Sequence, residues 1–189
     1  MWLFVLSFIL KRANFHEETV QKKHMNAATR NTKAATPVIL KGQEGRHFWV
    51  WGDLYTVKIT GNESNGAYAL IECAVQPQSG TPPHIHHAEA EMFCILSGEL
   101  TVWVADQRVQ ATAGSYVYIP QGTVHYYKNE SQGVVTMLAS MTPAGFEQFL
   151  IAIGDESDGR DTTPPVTPQM IEAAMRLAPK YQMEVLSAL

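Results

Sequence analysis

Between Tyr55 and Ser140 the chain is cut into short runs by Gly, Pro and Asn, and within many of those runs apolar and polar residues alternate. A period of two puts successive side chains on opposite faces, so the alternating runs are predicted to be β-strands with one buried face. Tyr55, Val57 and Ile59 alternate with Thr56, Lys58 and Thr60. Gly61-Asn62 and Asn65-Gly66 bracket a turn region before a strand over 67–75, whose buried face is Ala69, Ile71, Cys73 and Val75. Pro77, Gly80, Pro82 and Pro83 end that strand, and further short strands are expected over 91–96, 100–105, 108–112, 116–119, 123–128 and 134–140. Strands of this length joined by Gly and Pro turns specify an all-β sandwich or barrel.

Helices are predicted only late in the chain. Pro143 can open one that runs to Ile151 with Phe146, Phe149 and Leu150 on one side, and Thr167-Pro168 reads as the cap and first turn of another ending near Ala178. Residues 154–165, rich in Asp, Ser, Gly, Thr and Pro, are expected as an exposed linker or lid, and a final short strand over 182–186 closes the pattern.

The first 36 residues stand apart. Met1 to Leu10 is strongly apolar, but ten residues fall short of the roughly 20 that cross a bilayer as a helix. Positive charge follows at Lys11 and Arg12 instead of preceding, and no small-residue cleavage site is evident, so a secretory signal fits poorly. Met25 opens a polar, Ala-rich run that makes a more natural start, which leaves open whether residues 1–24 belong to the mature protein. Residues 1–36 are expected as an extension outside the folded unit, in preference to a membrane contact. The barrel with its following helix is assigned to 37–153, and the linker, C-terminal helix and final strand to 154–189. A cytoplasmic location is expected.

Charge and composition bear on the partners to expect. The net charge is -4 and no basic stripe with interleaved aromatics is present, which argues against nucleic acid. Charged residues are only 17% of the chain, a surface compatible with self-association. The two cysteines, Cys73 and Cys94, lie in apolar runs and are expected as buried free thiols, with Cys94 beside Phe93 in the core.

The residues that carry chemistry fall in two segments, His84-x-His86-x4-Glu91-x6-Gly98 and Gly114-x5-Pro120-x-Gly122-x2-His125-x3-Asn129. His84 and His86, two apart in an extended segment, project the same way while Ile85 faces the other. Glu91 is out of phase with them, so the intervening 87–90 segment must turn or bulge to bring the carboxylate inward. His125 must arrive from another strand across the barrel, positioned by the turn that Pro120 and Gly122 restrict. Three imidazoles and one carboxylate can hold a divalent transition metal with a coordination position left open, a catalytic type of site. The plainer alternative is a buried histidine bonded to a structural carboxylate. His87 and Glu89 are expected in an outer shell or on the surface. Trp103, Tyr116, Tyr118, Tyr126 and Tyr127 are candidates for an aromatic substrate lining, and there is no phosphate loop, Ser-His-Asp order or Cys-x-x-Cys.

These two segments resemble the two signature motifs of the cupin superfamily. The one departure is Gln78, six residues before His84, where the family has glycine; Gly80 lies nearby. The continuation from Ser140 through Pro143 and Phe146 to Phe149 is similar to small single-domain cupins of the quercetin-dioxygenase-like kind. The resemblance implies an all-β, single-domain cupin, a double-stranded β-helix or jelly-roll barrel with short C-terminal helices, that forms a homodimer. It implies one divalent transition metal ion per chain (iron, manganese, nickel, cobalt, copper or zinc) held by His84, His86, Glu91 and His125. By the same likeness the protein is expected to be a metal-dependent dioxygenase of the quercetin 2,3-dioxygenase type. It would use O2 on a small aromatic hydroxy compound, with Glu91 also the catalytic proton acceptor. The alternatives are a cupin isomerase or cyclase for a small enolisable compound, and a non-catalytic, metal-stabilised small-molecule-binding cupin.

Overall fold

Most strands of the core form where the alternation places them, and they assemble into two antiparallel sheets. The structure, a computed structural model, describes residues 37–158 and 162–186; residues 1–36, expected as an extension, lie outside the described residues. The strands are β1 (Arg46–Val50), β2 (Asp53–Ile59), β3 (Ala69–Val75), β4 (His84–His86), β5 (Ala90–Ser97), β6 (Glu99–Val104), β7 (Gln107–Thr112), β8 (Tyr116–Ile119), β9 (His125–Lys128) and β10 (Val135–Thr142). Helix α1 (Glu147–Ile153), β11 (Asp155–Ser157), helix α2 (Pro168–Leu177), a 3-10 turn (Ala178–Tyr181) and β12 (Met183–Val185) follow.

One sheet has seven strands in the order β11-β1-β2-β3-β10-β5-β8, the other five in the order β12-β4-β9-β6-β7. Their inner faces supply the core of a jelly-roll barrel. Ala69, Ile71, Cys73 and Val75 of β3 and Val135, Met137, Ala139 and Met141 of β10 are all buried, alternate residues of two paired strands. On β5 the inward set is Glu91, Phe93 and Ile95, so a carboxylate occupies a register position that its neighbours fill with apolar side chains. That phase turns Cys94 outward and leaves it half-buried, contrary to its expected place in the core; Cys73 is buried, and both thiols are free.

Two backbone positions explain local sequence. Gln78 adopts φ +64°, the left-handed conformation that the family's glycine would take without strain, and its amide donates to the carbonyls of Glu130 and Ser131. At Gly80 a Cβ would stand 2.2 Å from the Tyr127 carbonyl oxygen, so close approach of two backbones demands glycine there.

Several elements differ from expectation. β1 escapes a search for alternation because Phe48, Trp49 and Val50 are buried consecutively. β11 lies inside the stretch read as a linker; its mostly exposed side chains look like a loop, and main-chain pairing to β1, with the exposed Arg46–Glu156 ion pair, makes it a strand. Helix α1 starts at Glu147 rather than Pro143, because Gly145 takes φ +156° and the buried Glu147 carboxylate binds the amides of Gly61 and Gly145. Helix α2 begins as its cap predicts, with Thr167 Oγ1 accepting from the Met170 amide at 3.3 Å. Among the described residues no helix is long and apolar enough to cross a membrane.

Asp53 opens β2 as a buried carboxyl that accepts from the Gln76 amide at 2.8 Å. Burial pushes its pKa up to about 6, against the bonds from Gln76 and Ser79 that pull it down. The folded state therefore holds this proton to higher pH than the unfolded chain, whose carboxyl titrates near 3.8, and stability present below that value is lost as pH rises through about 6. Asp53→Asn removes the titration and keeps an acceptor for Gln76. Its stability relative to the parent should therefore rise by about 1–3 kcal/mol between pH 4 and pH 7, read from urea unfolding at both values. A difference that stays constant with pH would contradict this.

Candidate metal centre

Backbone pairing sets the first two histidines. His84 on β4 is the register partner of His125 on β9, and His86 follows two positions on, with both rings of β4 buried and Ile85 turned away. The ring centroids stand 4.2 Å apart for His84 and His125, 5.0 Å for His84 and His86, and 5.4 Å for His86 and His125. His125 thus arrives from the adjacent strand of the same sheet rather than from across the barrel. The residue that crosses is Glu91, because the chain turns a corner after His86 and enters β5 of the other sheet.

Glu91 Oε2 lies 2.8 Å from His125 Nε2 and 3.9 Å from His86 Nε2. One ligand atom from each of His84, His86, Glu91 and His125 can be chosen so that all lie within 4.8 Å of one another. Donors about 2 Å from a shared ion stand roughly 3–4 Å apart, so only a small contraction is needed.

The hydrogen bonds decide which nitrogens are available. His84 Nδ1 donates to the Pro82 carbonyl at 2.8 Å and His125 Nδ1 to the Thr123 carbonyl at 2.9 Å, which commits each ring's Nε2 to other partners. Among the described residues neither nitrogen of His86 has a hydrogen-bond partner, although both are buried. An orphaned buried polar atom costs about 1–3 kcal/mol, whereas a structural zinc returns on the order of 10–16 kcal/mol, so the donor set fits a cation.

Electrostatics favours the same outcome for two of the rings. Burial, then repulsion from His125, pulls His84 down to about 3 despite the Pro82 bond. Burial, then His84, His125 and His87, pulls His86 down to about 2. Both rings are neutral at physiological pH and keep a lone pair for a metal. His125 goes the other way: burial lowers it, but the Glu91 hydrogen bond and charge, with the Thr123 carbonyl, outweigh burial and raise it. A metal bound at His125 Nε2 would have to break the hydrogen bond that this nitrogen makes with Glu91 Oε2.

The site opens on a chamber whose walls are mainly apolar. Trp51, Tyr55, Phe93, Phe146, Phe149 and Met183 line it beside His84, His86 and Glu91, and Glu91 is its one acidic lining residue among the described residues. The room open to the centre of a water molecule is about 40 Å³, enough for roughly three waters. Of the aromatic residues proposed from sequence, only Tyr127 reaches this space; its hydroxyl lies 2.9 Å from that of Tyr55. Tyr116 and Tyr118 are exposed, because β8 turns them outward, and Trp103 stacks on Tyr126 outside the chamber with centroids 4.5 Å apart. The alternation at Tyr55 and the apolar side of α1 were the signals that could have found the true lining.

His87 lies on the surface, its Nε2 hydrogen-bonded to Glu184 Oε2 at 2.8 Å. Glu89 is buried, with Oε2 unpartnered and 3.9 Å from His86 Nδ1. Burial, with the charges of Glu147 and Glu91, pushes its pKa up to about 7 against its backbone bonds.

A jelly-roll barrel with histidines and a carboxylate converging on its interior has the form of a cupin. Residues 71–141 match the family model described as Cupin domain, and the chain carries a cupin domain. Quercetin 2,3-dioxygenase of Bacillus subtilis (strain 168) is 26% identical over 125 residues, covering 66% of this chain and 37% of that protein. The chain therefore spans little more than a third of that relative's length. Among solved structures, KdgF from Halomonas sp. has a TM-score of 0.53 at 10% identity, covering 60% of this chain and 98% of that one. An RmlC-like cupin from Shewanella frigidimarina NCIMB 400 has a TM-score of 0.52 at 14% identity, covering 60% and 96%. At such identities these two structures carry the fold alone.

Proposed function

We propose that this protein is a metal-dependent dioxygenase acting on a small aromatic hydroxy compound. The observation that carries it is the convergence of His84, His86, Glu91 and His125, the first three in the wall of an apolar chamber, with His86 Nε2 buried and, among the described residues, unpartnered. The sequence likeness to quercetin 2,3-dioxygenase, spread over 125 residues, supports this chemistry over others that cupin barrels house. O2 as co-substrate and a homodimer belong to the same proposal.

When bound, the metal supplies Lewis acidity and, if it is redox-active, a route for electrons between substrate and O2. The chain's own residues do the rest. His84, His86 and His125 present nitrogens from three fixed register positions. Glu91 is the chamber's carboxylate, placed to accept a hydroxyl proton from a substrate lying against it. Trp51, Phe93, Phe146 and Phe149 keep water away and select a flat apolar body. An isomerase or cyclase fits less well, since such chemistry calls for a polar chamber with separate proton-transfer groups.

The small free volume favours one other reading, a metal-stabilised barrel without turnover. Anaerobically purified protein, reconstituted separately with iron, manganese, nickel, cobalt, copper and zinc, distinguishes the two in an O2 electrode. With flavonols and smaller phenols as substrates, the expected result is substrate-dependent O2 uptake with at least one metal. Fully loaded, folded protein that consumes no O2 with any of them would contradict the dioxygenase and leave the metal-stabilised barrel.

The ligand set has its own test. His125→Ala should lower metal affinity by at least about 10-fold while His87→Ala retains it, as measured by metal content after dialysis against a competing chelator. Equal retention by the two variants would contradict the set.

A further inference from the structure

We propose that Glu89 is the positioning residue for His86, the outer carboxylate that orients this ring toward the metal. The inference rests on the metal site proposed above and adds a role for a side chain outside it.

Three observations meet at this carboxylate. His84 and His125 each give their Nδ1 proton to a backbone carbonyl, but His86 Nδ1 has no hydrogen-bond partner among the described residues. Glu89 Oε2 is likewise buried without one, and these two orphans lie 3.9 Å apart. Glu89 approaches Nδ1, whereas Glu91 approaches Nε2 of the same ring, so the two carboxylates address different nitrogens.

A hydrogen bond needs roughly 2.8 Å, so closing the pair takes a movement of about 1 Å. The Phe146 and His86 rings pack nearly perpendicular, at 88° with centroids 4.5 Å apart, which limits how far the His86 ring can turn away. Gly145 lies against the other carboxylate oxygen: a Cβ at that position would stand 3.0 Å from Glu89 Oε1. The loop before α1 thus bounds Glu89 on its Oε1 side, while Oε2 is the oxygen that lies near His86. Once joined, Glu89 fixes the Nδ1-protonated tautomer of His86, leaves Nε2 as the donor and raises its basicity.

The test compares the parent with Glu89→Ala and Glu89→Gln by zinc titration and by nitrogen NMR of the histidine rings. The parent should bind zinc and show His86 protonated at Nδ1. Glu89→Ala should weaken zinc by about 10- to 100-fold and scramble the His86 tautomer, with His84 and His125 unchanged. Glu89→Gln, which keeps the shape and a carbonyl acceptor, should restore the tautomer and part of the affinity. Where Glu89→Ala fails to fold, the graded loss in Glu89→Gln still decides. Parent-like affinity and tautomer in Glu89→Ala, or in Glu89→Gln where the alanine variant does not fold, would overturn the positioning role with the metal site intact. A parent that binds no zinc or other divalent metal would overturn the site itself.

Discussion

The pairing of β4 with β9 is the constraint on which the rest depends, because it sets His84 opposite His125 on the inward face of one sheet. A one-residue slip in either strand would carry its imidazoles to the outside while leaving most main-chain bonds replaceable. The chain guards against that slip from both sides. β12 pairs with the far edge of β4, Met183 opposite His86 and Val185 opposite His84, so the C-terminal strand clamps the one that bears two histidines. The Gly122 amide donates to the His86 carbonyl at 2.9 Å, tying the turn before His125 to the same strand.

Energetics explains why such a cluster is tolerated. Buried imidazoles and a buried carboxylate are poor material for a core, and each polar atom left unpaired costs about 1–3 kcal/mol. On β5 the same face carries Phe93 and Ile95, so an apolar residue in place of Glu91 would suit the barrel better. The cluster makes physical sense as a site completed by a cation. Around it the chamber is apolar and small, which strengthens every electrostatic interaction inside and restricts what can enter.

Much of this was legible in the sequence because period-two alternation is a strong signal. It placed most strands of the barrel core and put His84 and His86 on one face. The corner after His86, needed to bring Glu91 inward, also followed from phase alone. What alternation could not show was partnership. His125 was expected from across the barrel and comes from the neighbouring strand, since strand order depends on long-range pairing that a single chain's periodicity does not encode. β1 hid because it is buried on consecutive residues, and β11 because an edge strand needs no apolar side chains. Of the aromatic candidates on β8 and β9 only Tyr127 faces the chamber, for a related reason: a shift of one residue exchanges the lumen for the surface, and alternation among aromatics does not fix the register. Glu89, expected in an outer shell or on the surface, is buried beside the loop at Gly145.

The central claim is that three histidines from two adjacent strands share one cation with a carboxylate from the opposite sheet. X-ray absorption on protein loaded with a single equivalent of a transition metal reads this directly. The account predicts a nearest shell of nitrogen and oxygen at about 2.0–2.2 Å with multiple scattering from three imidazole rings. A shell with one imidazole or none, or one dominated by sulfur, would contradict it.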